Sequence, residues 1–242
     1  MVITTLAERP ELAGAVWSMP DAWPEFVTRD LVAQAYFGAL ARTFPAFTLV
    51  ATNEADEVVA RAHSVPFALD VPGRGALPGT GWDQALVWAF ADHREHTAPD
   101  TVSAIEIAVR PDCQGQGLSG TMLQAMRENA ARVGGLVAPI RPTRKHLEPR
   151  TPMDEYARRV REDGLPADPW LRVHVRAGGT VDTIAPASMT VTGSLAQWRA
   201  WTGLPFDAPG QVDVPGALVP VRCVPEHDHA VYVEPNVWVR HS

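Results

Sequence analysis

Residues 105–123 read IEIAVRPDCQGQGLSGTML, and the fold turns on this stretch. Val102–Val109 is short, apolar and rich in β-branched residues, with Pro111 just beyond it, which predicts a strand. Leu118–Val133 places Met122, Leu123, Met126, Ala130 and Val133 at helical spacing, and Gly134–Gly135 is expected to close that helix. Leu136–Ile140 reads as the next strand. Between the first strand and the helix lies Gln114–Ser119. Glycines there let backbone N–H groups point into one concavity, and the first helical turn adds unpaired donors and a partial positive charge. Such a turn suits a pyrophosphate. On glycine spacing alone an ordinary glycine-containing turn is the favoured reading.

Upstream, Val2–Leu6 reads as a strand, Glu8–Met19 as a helix stopped by Pro20, and Asp30–Leu40 as a second helix. Phe47–Thr52 and Val58–Leu69, joined by a polar turn, predict an antiparallel hairpin. Asp70–Gly81 is loop and Trp82–His93 helix. Downstream, Met153–Arg161 and Asp168–Ala177 are helix candidates, the latter ended by Gly178–Gly179. Thr180–Ile184 is a strand candidate. Ser194 and Gln197 form a capping box that opens a helix over Leu195–Trp201. Ala217–Val224 and Val231–Val239 read as a closing pair of strands.

The 242 residues hold 21 Lys+Arg and 28 Asp+Glu, a net charge of −7. That balance argues against nucleic acid as the main partner, because phosphate backbones call for clustered cations. No apolar run is long enough to span a bilayer, and the N-terminus shows no leader pattern, so no membrane partner is expected. Cys113 and Cys223 stand far apart, as in a reducing, cytoplasmic compartment. The chain is expected to be a single domain over 1–242. It carries loop inserts at about 70–98 and 142–167 and a C-terminal extension from about 185, both elaborating a core of roughly 150 residues.

Two other motifs match in part. Gly115, Gly117 and Gly120 have the GxGxxG spacing of a dinucleotide turn, but Arg110–Gln114 intervene after the strand and no acid follows to hold a ribose. A hydrolase elbow needs GxSxG, and the glycine after Ser119 is misplaced. The stretch instead resembles motif A of the GNAT superfamily of acyl-CoA-dependent N-acyltransferases: a strand, a turn often containing Pro, then (Gln/Arg)-x-x-Gly-x-(Gly/Ala) opening a helix. Gln114, Gly117 and Ser119 occupy the defining positions, Ser119 being small but neither Gly nor Ala. The likeness is good over residues 1–140 and looser over 168–184.

The resemblance implies an α/β fold, of α+β type, with a mixed, mostly antiparallel central sheet flanked by helices. It implies acetyl-CoA or another acyl-CoA as co-substrate, no metal, a small amine acceptor that attacks the thioester directly, and room for a homodimer. The backbone of Ile107, Ala108 and Val109 would pair with the pantetheine arm. The N–H groups of Gln114, Gly115, Gln116, Gly117, Leu118 and Ser119 would hold the pyrophosphate. A non-catalytic acyl-CoA sensor is the alternative, and a nicotinamide-dependent oxidoreductase a third reading.

Glu106 is the only charge in Ala104–Val109, and alternation sets it opposite Ile105, Ile107 and Val109. A carboxylate on an apolar strand is costly unless paired. Glu106 is therefore either a general base, as the family often places one here, or a salt-bridged glutamate. His174 lies four residues before Gly178, where the family commonly has the Tyr that protonates the leaving thiolate. It is the candidate acid, against a packed histidine, with Tyr156 as fallback. Arg141, Arg144 and Lys145 read as a solvated basic loop. His93–His96 and His227–His229 read as polar turns, because a tetrahedral metal site needs more ligands. Trp82, Trp88, Trp170 and Trp238 are core residues or pocket walls.

Overall fold

The computed structural model describes residues 1–241. The chain runs β1 (Val2–Thr5), α1 (Ala13–Ser18), α2 (Leu31–Tyr36), α3 (Leu40–Thr43), β2 (Thr48–Thr52), β3 (Val58–Phe67), α4 (Gly81–Glu95), β4 (Thr101–Val109) and α5 (Leu118–Ala130). It continues through β5 (Gly135–Ile140), α6 (Met153–Ala157), α7 (Pro169–Arg176), β6 (Gly179–Gly193), α8 (Leu195–Thr202), β7 (Gly210–Val212), β8 (Val221–Val224) and β9 (His229–His241). The strands form one sheet in the order β1-β2-β3-β4-β5-β9-β8-β7, with β6 on the other edge of β9. Every pairing is antiparallel except β4 with β5. A mostly antiparallel sheet is not the parallel, doubly wound sheet that a dinucleotide fold needs.

Apolar faces on both sides of the sheet are covered by helices. On one side α5 lays Met122, Leu123, Met126 and Ala130 against Leu49, Ala60, Ala62 and Val102. On the other, α4 packs Trp82, Ala85, Leu86 and Ala89 on Val65, Phe67, Ile105 and Val137. Asp168 caps α7, accepting from the N–H groups of Trp170 and Leu171. The capping box of Ser194 and Gln197 forms as expected.

Two features of β4 position the site. It pairs with β5 only at Thr101–Ser103 against Gly135–Val137, and beyond that the two strands share a cleft instead of hydrogen bonds. It also carries a bulge. His63 of β3 faces Glu106 while Ser64 faces Ala104, so Ile105 has no partner of its own. The extra residue breaks the alternation assumed from sequence. Ile105 and Glu106 now lie on the same side, whereas Ile107 and Val109 pack toward α5.

Several expected elements are reshaped. The first helix is only Ala13–Ser18, preceded by a 3-10 turn at Pro10–Leu12, and the third-quarter helix stops at Ala157. Helix α5 ends at Ala130. Gly134 is not its cap but a point of contact, where a Cβ would fall 1.8 Å from the Asp100 carbonyl oxygen, and Gly135 already belongs to β5. Strand β6 far exceeds Thr180–Ile184, because irregular stretches between Val181 and Ile184 and between Ala185 and Met189 break its alternation. The part after Ala185 is no peripheral extension, since β9 lies inside the sheet beside β5.

Candidate active site

The splay of β4 from β5 opens a cleft of about 910 Å³. Its walls come from β4, β5, the turn before α5, α7, the segment 21–38, Trp82 and the strands β6 and β9. Distant parts of the chain thus meet around two strand ends that lack partners.

One end is made of backbone. Gly115 and Gly117 have φ of +76° and +81°, left-handed values that favour glycine. Gly117 sits at the N-cap of α5 and its carbonyl accepts from the N–H groups of Gly120 and Thr121. Among the described residues, no intramolecular acceptor takes the backbone N–H groups of residues 115–119. Open N–H groups at the start of a 13-residue helix form an anion cradle that fits a pyrophosphate. Of the residues expected there, Ile107, Val109, Gln114, Gly115, Gly117, Leu118 and Ser119 line the cleft. Ala108 and Gln116 do not. The Ala108 side chain is buried on the opposite face against α1, and Gln116 points to solvent.

The other end is made of side chains. Glu106 lines the cleft and is held by three donors: Arg61 Nε to Oε2 at 2.8 Å, Arg61 Nη2 to Oε1 at 3.1 Å and Trp23 Nε1 to Oε1 at 2.9 Å. Arg61 also donates to Asp21 at 2.7 Å and to the carbonyls of Val16 and Met19. Burial works against the charge of Arg61, but Glu106 and Asp21 outweigh it and hold its pKa above the ordinary value. Glu106 is salt-bridged and also faces the cleft. His63 stacks on Trp17, its Nε2 unpaired at 3.8 Å from Glu106. Burial pushes its pKa down to about 4, so the ring is neutral.

Deeper in, Glu234 is fully buried and accepts from Tyr232 at 2.7 Å, Arg141 at 3.0 Å and Asn236 at 3.1 Å. Behind it, Asp30 caps α2 and accepts from Thr190, and Asp83 stands beside it. Burial and then the Asp30 charge push Asp83 up to about 8, so the two acids share a proton near neutrality. Arg141 and Lys145 do not form a solvated loop. Arg141 belongs to the cleft, and Lys145 is fully buried with its ammonium on the carbonyls of Glu148, Pro149 and Leu218.

His174 lies on the cleft wall, 1% exposed, with Trp170 edge-on beside it. Its Nδ1 is 2.9 Å from His241 Nε2, and its Nε2 has no partner. Burial, then His241, push its pKa down to about 3, so a standing imidazolium is excluded at neutral pH. Tyr156 is no spare acid. Its hydroxyl donates to Asp168 at 2.9 Å, away from the cleft, and burial raises its pKa. Trp82 and Trp170 line the cleft, whereas Trp88 carries Arg74 on its ring and Trp238 is wholly buried. Sequence reading missed Arg61, Asp21, Trp23 and Glu234. The available signal was a lone arginine in the apolar run Val58–Leu69, which demands a counter-charge just as Glu106 does.

No family model matches the chain. The arginine N-acetyltransferase avaD of Aspergillus versicolor is 33% identical over 274 aligned positions, spanning 99% of this chain and 93% of that protein. Among solved structures, the loading GNATL domain of CurA from Lyngbya majuscula superposes with a TM-score of 0.62 at 17% identity, over 100% of this chain and 96% of that one. The GphF GNAT-like decarboxylase in complex with isobutyryl-CoA gives 0.57 at 14%, over 100% and 99%. These two share the fold. With the splayed strands, the N–H cradle and an end-to-end relative, the conclusion follows that the chain belongs to the GNAT superfamily of acyl-CoA-dependent acyltransferases.

Proposed function

We propose that the chain is an N-acetyltransferase, moving an acetyl group from acetyl-CoA to an amine acceptor that bears a further positive charge. The amine attacks directly in a ternary complex. The observation that carries this is the acid excess at the side-chain end. Asp21, Glu106 and Glu234 line the cleft, and the cations paired with them are Arg61 and Arg141, two against three. An uncompensated negative wall in a cleft attracts a cation and raises its local concentration. An arginine-like acceptor suits that wall, and a relative aligned over 99% of this chain is named for arginine.

The residues divide the work. The N–H groups of 115–119 hold the pyrophosphate, and the free edge of β4 receives the pantetheine arm. Glu106, its oxygens already accepting from Arg61 and Trp23, orients the cationic acceptor. His174, on the cleft wall, serves as the proton carrier between amine and thiolate.

Free-thiol release with acetyl-CoA tests the proposal, comparing arginine with neutral amines of similar size. Arginine turnover should lead. Glu106→Gln should lower kcat/KM for arginine about tenfold to a hundredfold, the loss of one charge-assisted contact. Acetyl-CoA affinity by calorimetry should stay unchanged. Equal turnover of neutral amines would refute a cationic acceptor. Tight acetyl-CoA binding with no thiol release over the panel would favour a sensor.

A further inference from the structure

The ladder between β5 and β9 ends at Ile140 with Val237, and the ladder between β8 and β9 ends at Arg222 with Val231. Tyr232, Glu234 and Asn236 of β9 fall between the two, and all three are buried. Arg141, one residue past β5, turns into this gap. Its Nε donates to Glu234 Oε2 at 3.0 Å and its Nη2 to the Gly216 carbonyl. The Tyr232 hydroxyl also donates to Oε2, while Asn236 Nδ2 donates to Oε1 at 3.1 Å and to the Pro235 carbonyl at 2.9 Å. Glu234 thus joins an arginine on one oxygen to an asparagine on the other. Both acceptors face Nδ2, which fixes the amide with its oxygen turned away from them. Two polar atoms of the cluster stay unused. Arg141 Nη1 has no acceptor and Asn236 Oδ1 no donor among the described residues. Asn236 is only 1% exposed, yet neither atom is sealed from solvent without a partner. Both therefore meet open space, and both residues line the cleft.

A bare cation does not fit this spot, because Arg141 would face it. A bare oxygen would leave Asn236 Oδ1 without a donor. The two atoms together call for an oxygen acceptor with an N–H beside it. Resting on the acyl-transfer reading above, we propose that Arg141 and Asn236 form a specificity subsite for the carboxyl end of an amino-acid acceptor, Arg141 Nη1 donating to its carboxyl or carbonyl oxygen and Asn236 Oδ1 accepting from its α-amine N–H. The subsite complements the acid wall. Asp21 and Glu106 attract the distal positive charge, whereas Arg141 reads an oxygen that a decarboxylated amine lacks. Glu234 is a positioning residue, since its two oxygens hold Arg141 and Asn236 in place by charge-assisted hydrogen bonds. A site built to hydrogen-bond a group rejects the analogue without it, because its own polar atoms are then left unpaired. The acceptor class is therefore amino acids with a cationic side chain, free or amide-capped.

The test compares arginine with agmatine, which lacks the carboxyl group, and with argininamide, which keeps the oxygen without the charge. Thiol release from acetyl-CoA should give a kcat/KM for arginine at least about tenfold above that for agmatine, the loss expected for a hydrogen bond to a charged group. Argininamide near arginine assigns Nη1 to any carbonyl oxygen, and argininamide near agmatine assigns it to a carboxylate. Arg141→Lys keeps a cation for Glu234 without the planar fork and should erase the arginine-to-agmatine ratio. A purely structural Arg141 would lower both and keep the ratio. Asn236→Ala should lower arginine turnover about tenfold. Asn236→Asp keeps the outward oxygen and should restore part of it, which a role confined to the Nδ2 contact with Glu234 would not allow. Calorimetry on protein saturated with CoA, which has no acyl group to give, reads the same preference without turnover. Equal use of arginine and agmatine, a ratio unchanged in Arg141→Lys, or binding of neither amine overturns the proposal. The binding preference without thiol release removes the acyl-transfer reading alone, and thiol release with equal use of both amines removes the subsite alone.

Discussion

At one end of the cleft the turn 114–119 offers backbone N–H groups, and at the other Arg61, Glu106, Asp21 and Glu234 offer charged side chains. The first end is local: a strand, two left-handed glycines and a helix start, all within adjacent sequence. The second is assembled from the segment 21–38, β3, β4 and β9, so it exists only once the sheet has formed. A backbone site tolerates most side-chain changes and fails when the turn is altered. A side-chain site of buried charges fails when any single partner is removed.

The largest effect should come from breaking the side-chain end at its centre. Arg61→Met leaves Glu106 buried without its counter-ion, and removing one partner of a buried pair costs about 3–5 kcal/mol. Urea unfolding should show that loss. Arg61→Met combined with Glu106→Leu should recover most of the stability, since replacing both partners by apolar groups is often neutral, while acceptor turnover stays absent. A single variant that unfolds like the wild type would show that Arg61 does not neutralise this site.

The cofactor end should break without such a stability cost. At Gly117 a Cβ would meet nothing within 4 Å, so size alone is tolerated, but φ of +81° strains any L side chain by about 1–2 kcal/mol. Gly117→Glu adds a negative charge beside the pyrophosphate. Calorimetry should show acetyl-CoA affinity down at least about a hundredfold, equivalent to about 2.7 kcal/mol. Gly117→Ala separates the two contributions, giving the strain without the charge. Unchanged affinity in both variants would move the pyrophosphate elsewhere.

The same contrast explains what could be read in advance. Leu118–Ala130 and Thr101–Val109 were legible because periodicity and turn chemistry are local properties. The side of Glu106 was not, because the bulge at Ile105 depends on pairing with β3 and leaves no mark in the residues themselves. Arg61 and Glu106 were each conspicuous as a lone charge in an apolar strand. Reading neighbouring strands together would have joined them, since β3 and β4 pair directly. Glu234 and His241 were out of reach because they arrive on β9, in a segment whose place inside the sheet follows from the whole topology.

The smallest expected effect sharpens the comparison most, because it asks whether the side-chain end is kept at the expense of stability. Asp83 has a buried, unpaired Oδ1 and a pKa pushed up to about 8 by burial and Asp30, against 3.8 unfolded. A folded-state pKa above the unfolded value means the folded chain holds a proton that the unfolded chain has lost. This acid's contribution is therefore intact below pH 3.8 and is lost as pH rises through about 8. His63 works in the opposite sense. With its pKa at about 4 against 6.5, it favours the folded state above pH 6.5 and loses that contribution as pH falls toward 4. Asp83→Asn removes only the first trend. It should raise stability at pH 7 by about 1–2 kcal/mol and leave it nearly unchanged at pH 4. Thermal unfolding at both pH values measures both. A variant equally stabilised at both pH values would show that the gain is packing, and that the buried acid pair behind the cleft carries no stored electrostatic strain.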